Sequence, residues 1–114
     1  MDDCIFCRIA AGGIPANVLH QDEDLVAFRD IDPKAPVHVL VIPRRHVDSV
    51  NELESGDAGL VGRMVLVARS VAISEGIAEP GYRLVLNTGP DGGQSVGHLH
   101  LHLLGGRGLG WPPG

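Results

Sequence analysis

The sequence predicts an α+β fold: a mainly antiparallel five-stranded sheet with one long and one short helix. Three observations carry this reading. From His98 to Leu103 histidine and leucine alternate, which is the period of a strand with two different faces. Between Asp57 and Glu75 the apolar residues change to helical spacing. Strand-like and helix-like runs are partly segregated, and most successive strands are separated by short connections, which favours antiparallel neighbours.

The elements follow in order. Cys4 to Ala11 reads as a short helix ended by Gly12, Gly13 and Pro15. Val18-Leu19-His20 and Leu25-Val26-Ala27-Phe28-Arg29 read as strands around the acidic turn Asp22-Glu23-Asp24. Residues Asp30 to Pro36 form a loop, because Pro33 and Pro36 forbid regular pairing there. Val37 to Ile42 is the strongest strand signal and is closed by Pro43. In the long helix, Leu60, Val61, Met64, Val65, Val67, Ala68, Val71 and Ala72 make one broad apolar face that packs across the sheet. Ser55 or Asp57 suits its start and Gly76 its end. Tyr82 to Leu86 is a strand, Asn87 to Gly97 an irregular glycine-rich loop, and His98 to Leu104 the last strand. A Gly- and Pro-rich tail with the only tryptophan, Trp111, closes the chain.

The 114 residues suggest one domain, residues 1–114, with no internal repeat or dividing linker. Nine basic against fourteen acidic residues give a net charge of −5, so there is no global basic signature for nucleic acid. No apolar run approaches the ~20 residues that span a bilayer. The start Met1-Asp2-Asp3 lacks the basic-then-apolar pattern of a secretory signal. No membrane association and a cytoplasmic location are therefore expected. In that compartment the Cys4-x-x-Cys7 pair reads as metal-binding or redox-active before it reads as a structural disulfide.

The chemistry concentrates in the last strand. On a strand His98, His100 and His102 project from one face, ~6.8 Å apart in sequence order, while Leu99, Leu101 and Leu103 face a core. Imidazoles that titrate near neutral pH bind metals, move protons or attack electrophiles. Three of the six histidines sit in these five residues, so the cluster calls for a function. His20 and His38 read as ordinary strand residues.

The run His98-Leu99-His100-Leu101-His102-Leu103-Leu104 resembles the His-φ-His-φ-His-φ-φ signature of the histidine triad (HIT) superfamily, where φ is apolar. The likeness extends along nearly the whole chain. Phe28-Arg29-Asp30-Ile31-Asp32-Pro33, then Ala35-Pro36 and Val37 to Pro43 with His46, look like the family's N-terminal half. Asn87-Thr88-Gly89 and Gly92-Gly93-Gln94-Ser95-Val96 look like its phosphate-side loop. The ending Leu103 to Arg107 with Trp111-Pro112-Pro113-Gly114 is similar to the Hint branch.

The resemblance implies a HIT-like fold, a homodimer with one continuous sheet, and hydrolysis of purine nucleoside phosphoramidates. By that match His100 is the nucleophile, forming a nucleotidyl-histidine, with His102, His98 and Ser95 completing the catalytic set. Asp30 would take the ribose hydroxyls; read without the family, it is an Asx-turn former. Phe6, Ile9, Ile14, Phe28 and Ile31 would wall the base. Asn87, Gly93, Gln94, Ser95 and Val96 would meet the phosphate, and Trp111 would influence the leaving group from the partner subunit. Cys4, Cys7, His46 and His98 would hold a structural Zn²⁺, a donor set suited to tetrahedral zinc, and the chemistry would need no cofactor. Competing functions are dinucleoside polyphosphate hydrolysis, which the Trp111 ending opposes, and non-catalytic binding of a purine nucleotide. Nucleotidyl transfer to a sugar phosphate is disfavoured, because relatives doing that carry Gln where this chain has His102.

Overall fold

A computed structural model describes residues 3–114; Met1 and Asp2, the first two residues of the acidic start, lie outside the described residues. Five strands form one antiparallel sheet in the order β1-β2-β3-β5-β4: β1 Val18–Gln21, β2 Leu25–Arg29, β3 Val37–Pro43, β4 Tyr82–Val85 and β5 Leu101–Gly105. Three helices accompany it: α1 Ile5–Ala10, α2 Ala58–Ser74 and the single turn α3 Gly89–Gly92. Short 3-10 turns at Val50–Glu52 and Ser55–Asp57 lead into α2.

Both faces of the sheet are covered. On one, Met64, Ala68, Val71 and Ala72 of α2 pack on Leu25, Ala27, Val39, Val41, Leu99, Leu101 and Leu103. On the other, Phe6 and Ala10 of α1 pack on Val26, Phe28, Leu40 and Ile42. Because β3 is central and covered on both sides, it is buried along nearly its whole length. Its sequence accordingly reads as an apolar run rather than a clean alternation.

The helix ends follow local rules. At the end of α2, Gly76 takes φ 75°, its N–H bonds the Ile73 carbonyl, and the Ile77 N–H bonds the Ala72 carbonyl. This left-handed cap favours glycine. The start of α2 departs from expectation: neither Ser55 nor Asp57 caps it through a side chain. Asp57 instead accepts the Glu54 N–H in the preceding turn and pairs with Arg45. The long helix also buries a narrower stripe than its apolar residues suggest, leaving Val65, Leu66 and Ile73 exposed.

The last strand begins later than the alternation suggests, at Leu101 rather than His98. The ladder to β3 ends at Val41↔Leu101. Beyond it stands Pro43, which has no N–H to donate and whose carbonyl accepts the His98 ring N–H. The Leu99 N–H turns to the Val47 carbonyl instead. Even so, the alternation of faces persists: Leu99, Leu101 and Leu103 enter the α2 core.

Candidate active site

Against the α1 face lies a cavity of about 270 Å³. Its walls come from α1 (Phe6, Ile9), the following loop (Ile14), the end of β2 with its loop (Phe28, Asp30, Ile31), the glycine-rich loop (Ser95, Val96) and the last strand region (His100, His102). The lining is apolar on the side of α1 and β2 and polar at the histidines, as suits a ligand with a flat apolar end and a charged end. Ile5, Pro15, Ala16, Arg29 and Leu40 also line it; sequence reasoning did not single them out, though Ile5, Pro15 and Arg29 each adjoin a residue it named.

His100 is 4 % exposed, yet it stands in the cavity wall. Its Nδ1 lies 2.7 Å from the His98 carbonyl. A carbonyl only accepts, so Nδ1 carries the proton and Nε2 keeps its lone pair. His102 has the opposite arrangement, and His38 causes it. The Lys34 N–H donates to His38 Nδ1 at 3.0 Å, leaving the proton on His38 Nε2. That N–H donates to His102 Nδ1 at 2.9 Å, so the His102 proton is on Nε2. His102 Nε2 is the one buried side-chain nitrogen or oxygen among the described residues with no partner. A ligand oxygen in the cavity would satisfy it. Adjacent rings, with centroids 4.9 Å apart, thus present a lone pair and a donor.

Burial holds both His38 and His102 neutral. Desolvation, then the neighbouring His100 and His38, brings His102 down to about 4. Desolvation lowers His38 as well, against the pull of Asp30. Asp30 faces the cavity with one oxygen accepting the Asp32 N–H at 2.9 Å and the other 3.5 Å from His38 Nε2.

His38 is the residue that sequence reasoning missed. Only its position in a strongly apolar strand distinguished it, since β3 buries it next to His102. Several expected residues lie outside the cavity lining. The Gln94 amide is taken up by backbone: it accepts the Gly89 N–H and donates to the Asp48 and Val96 carbonyls. Gly93, at φ 80°, ends the α3 turn, and Asn87 is half-buried just before that turn. Trp111 is 83 % exposed on the tail.

His98 faces a second cluster. Its ring is fully buried, with Nε2–H donating to the Pro43 carbonyl at 2.8 Å. Nδ1 therefore offers a lone pair, 3.3 Å from Cys4 Sγ and 3.5 Å from Cys7 Sγ. His46 repeats the pattern: Nε2 bonds the Asp48 carboxylate at 2.6 Å and Nδ1 lies 3.3 Å from Cys7 Sγ. The donor atoms of Cys4, Cys7, His46 and His98 all lie within 4.8 Å of one another. Two thiols and two lone pairs, each imidazole oriented by an acceptor behind it, fit a tetrahedral metal ion. Burial, and the nearby Cys4, raise the Cys7 thiol above its ordinary range, a protonation that a bound cation would reverse.

The family model described as "Scavenger mRNA decapping enzyme C-term binding" matches residues 3–108. The purine nucleoside phosphoramidase of Escherichia coli is 48% identical over 109 residues, which is 96% of this chain and 92% of that protein. The chain belongs to the histidine triad superfamily. Among solved structures of the HIT family, a hydrolase from Legionella pneumophila superposes with TM-score 0.96 at 49% identity, covering 98% of this chain and 100% of that one. A zinc-bound HIT protein from Mycobacterium smegmatis, 29% identical, superposes with TM-score 0.80 over 93% of this chain and 76% of its own. The antiparallel five-stranded HIT fold expected from the sequence is thus the one observed.

Proposed function

We propose that this HIT protein is an enzyme that hydrolyses purine nucleoside 5′-phosphoramidates to the nucleoside monophosphate and an amine. The observation that carries the reading is the opposed tautomers of His100 and His102 at one cavity. The Nε2 lone pair of His100 attacks the α-phosphorus and the P–N bond breaks, leaving a nucleotidyl-histidine. The departing nitrogen takes its proton from solvent at the open mouth, where Ser95 is exposed. Water then attacks phosphorus, the P–N bond to His100 breaks, and the water proton returns to solvent. His102 Nε2–H holds a phosphoryl oxygen throughout, as a fixed donor whose strength grows with charge in the transition state. Asp30 accepts the ribose hydroxyls; Phe6, Ile9, Ile14, Phe28 and Ile31 wall the base; Asn87, Gly93, Gln94 and Val96 shape the phosphate loop around Ser95.

The purine nucleoside phosphoramidase similarity supports this substrate over a dinucleoside polyphosphate. Cys4, Cys7, His46 and His98 hold zinc in this reading, where it pins α1 to the last strand and takes no part in the reaction. Residues 1–114 act as one HIT domain in a cytoplasmic homodimer. The partner's sheet continues this one through an outer strand, and each Trp111 reaches the other subunit's site. Support for a dimer comes from the open edge of β4 and the exposed Val65 and Leu66 of α2. Incubating wild type and His100→Ala with an adenosine 5′-phosphoramidate tests the function. Turnover should fall at least ~10³-fold in the variant, as for loss of a nucleophile; equal turnover ends the reading.

A further inference from the structure

The four metal donors are tied to three parts of the nucleotide site: Cys4 and Cys7 to the base wall, His98 to the nucleophile and His46 to the phosphate loop. Cys4 and Cys7 flank and occupy α1, whose Phe6 and Ile9 stand in the cavity wall. With six residues, α1 is too short to persist as a helix without outside contacts. The Phe6 ring meets the metal donor His98 at 5.9 Å and the nucleophile His100 at 5.1 Å, centroid to centroid. His98 has a second link to the nucleophile, because its carbonyl is the acceptor that sets the His100 tautomer at 2.7 Å. His46 connects to the phosphate side. Its Nε2–H bonds the Asp48 carboxylate, and the Asp48 carbonyl accepts from Gln94 at 2.7 Å. Gln94 in turn accepts the Gly89 N–H at 3.0 Å, closing the loop that carries Ser95. Base wall, nucleophile and phosphate loop therefore each lie one to three contacts from a metal donor.

We infer that metal and nucleotide binding are coupled in this protein: a zinc ion on Cys4, Cys7, His46 and His98 tightens the binding of a purine nucleoside monophosphate, and the nucleotide tightens zinc by the same factor. The inference rests on both the zinc reading and the nucleotide reading of the preceding section. Its physical basis is ordering. Zinc restrains α1, the His98 backbone and the Asp48–Gln94 link before the nucleotide arrives, so less conformational entropy is lost when the nucleotide binds. Thermodynamic linkage then requires the reciprocal effect of equal size.

The test measures four affinities on the full chain. AMP binding is titrated calorimetrically with zinc-loaded and chelator-stripped protein. Zinc affinity is measured by competition with a chromophoric chelator, with and without saturating AMP. Both ratios should agree and be about fivefold or more, the lower end of ordinary coupling. Amide exchange in residues 5–12 should slow with zinc and slow further with AMP. If one zinc binds per chain and AMP binds equally to both forms within twofold, the coupling is refuted while both underlying readings survive. Failure to bind zinc, or zinc binding unchanged in the Cys4→Ser/Cys7→Ser variant, overturns the coupling through the metal reading. Absence of AMP binding in either form overturns it through the nucleotide reading. Should the stripped protein unfold, cobalt(II)-loaded protein replaces it. Saturating AMP then has to shift the thiolate-to-cobalt absorption, and an unchanged spectrum counts against the coupling.

Discussion

Replacing His38 with Phe tests the electrostatic logic of the site most directly. His38 is 6 % exposed, accepts the Lys34 N–H at 3.0 Å and donates to His102 Nδ1 at 2.9 Å. Phe keeps a flat aromatic ring, somewhat larger than imidazole, and removes both bonds. Leaving the buried His102 Nδ1 without its donor should cost about 1–3 kcal/mol of stability. The larger consequence is for the His102 tautomer. With no donor opposite Nδ1, the proton is free to move there, which turns the Nε2 lone pair toward the phosphoryl oxygens. Complete loss of such a donor costs about 10²–10³-fold in kcat, the size expected for His102→Ala. His38→Phe retains a fraction of the correct tautomer, so kcat should fall about tenfold, with KM little changed. His38→Gln, whose amide both accepts and donates, should recover part of the loss. Single-turnover hydrolysis of an adenosine phosphoramidate gives the rate, urea unfolding the stability, and ring ¹⁵N chemical shifts the tautomer. A folded His38→Phe protein with wild-type kcat and His102 still protonated at Nε2 would refute the reasoning.

Two further outcomes follow from burial. His102 titrates near 4 in the folded chain and about 6.5 when unfolded. Between those values the unfolded state binds the extra proton, so stability falls as pH drops from about 6.5 toward 4. The loss from this ring is about 3 kcal/mol across the window; the lowered His38 and His98 act in the same direction. Denaturant midpoints that stay constant from pH 7 to 4.5 would contradict it. Leu103 is fully buried between the sheet and α2, so Leu103→Ala should destabilise by about 2–5 kcal/mol in urea unfolding. A loss below about 1 kcal/mol would mean that the α2 face is not the main core.

Local patterns marked most of the fold. The six-residue α1 is announced by Gly12 and Gly13, β3 by its apolar run, and α2 by its period and Gly76. The first turns of α2 were less legible, since Asp57 spends its carboxylate on the preceding turn and on Arg45. The α3 turn was hidden in a run of glycines, where backbone preference is weak. At the site, the strict period of two put His98, His100 and His102 on one face, and that held even where the ladder with β3 had ended. The roles of the three then diverged for reasons that the period does not contain. His98 turned to a thiol 94 residues away in the chain, and His102 to a histidine 64 residues away.

By itself the sequence determined which residues share a face, because side-chain direction in an extended chain repeats every two residues whatever surrounds it. Which nitrogen of each ring carries the proton was decided only in the folded molecule. The Pro43 carbonyl and the His38 ring become partners of His98 and His102 only when distant segments pack together, whereas the His98 carbonyl that meets His100 lies two residues away in the same segment, held in place by the fold; an imidazole takes its tautomer from the partner it meets.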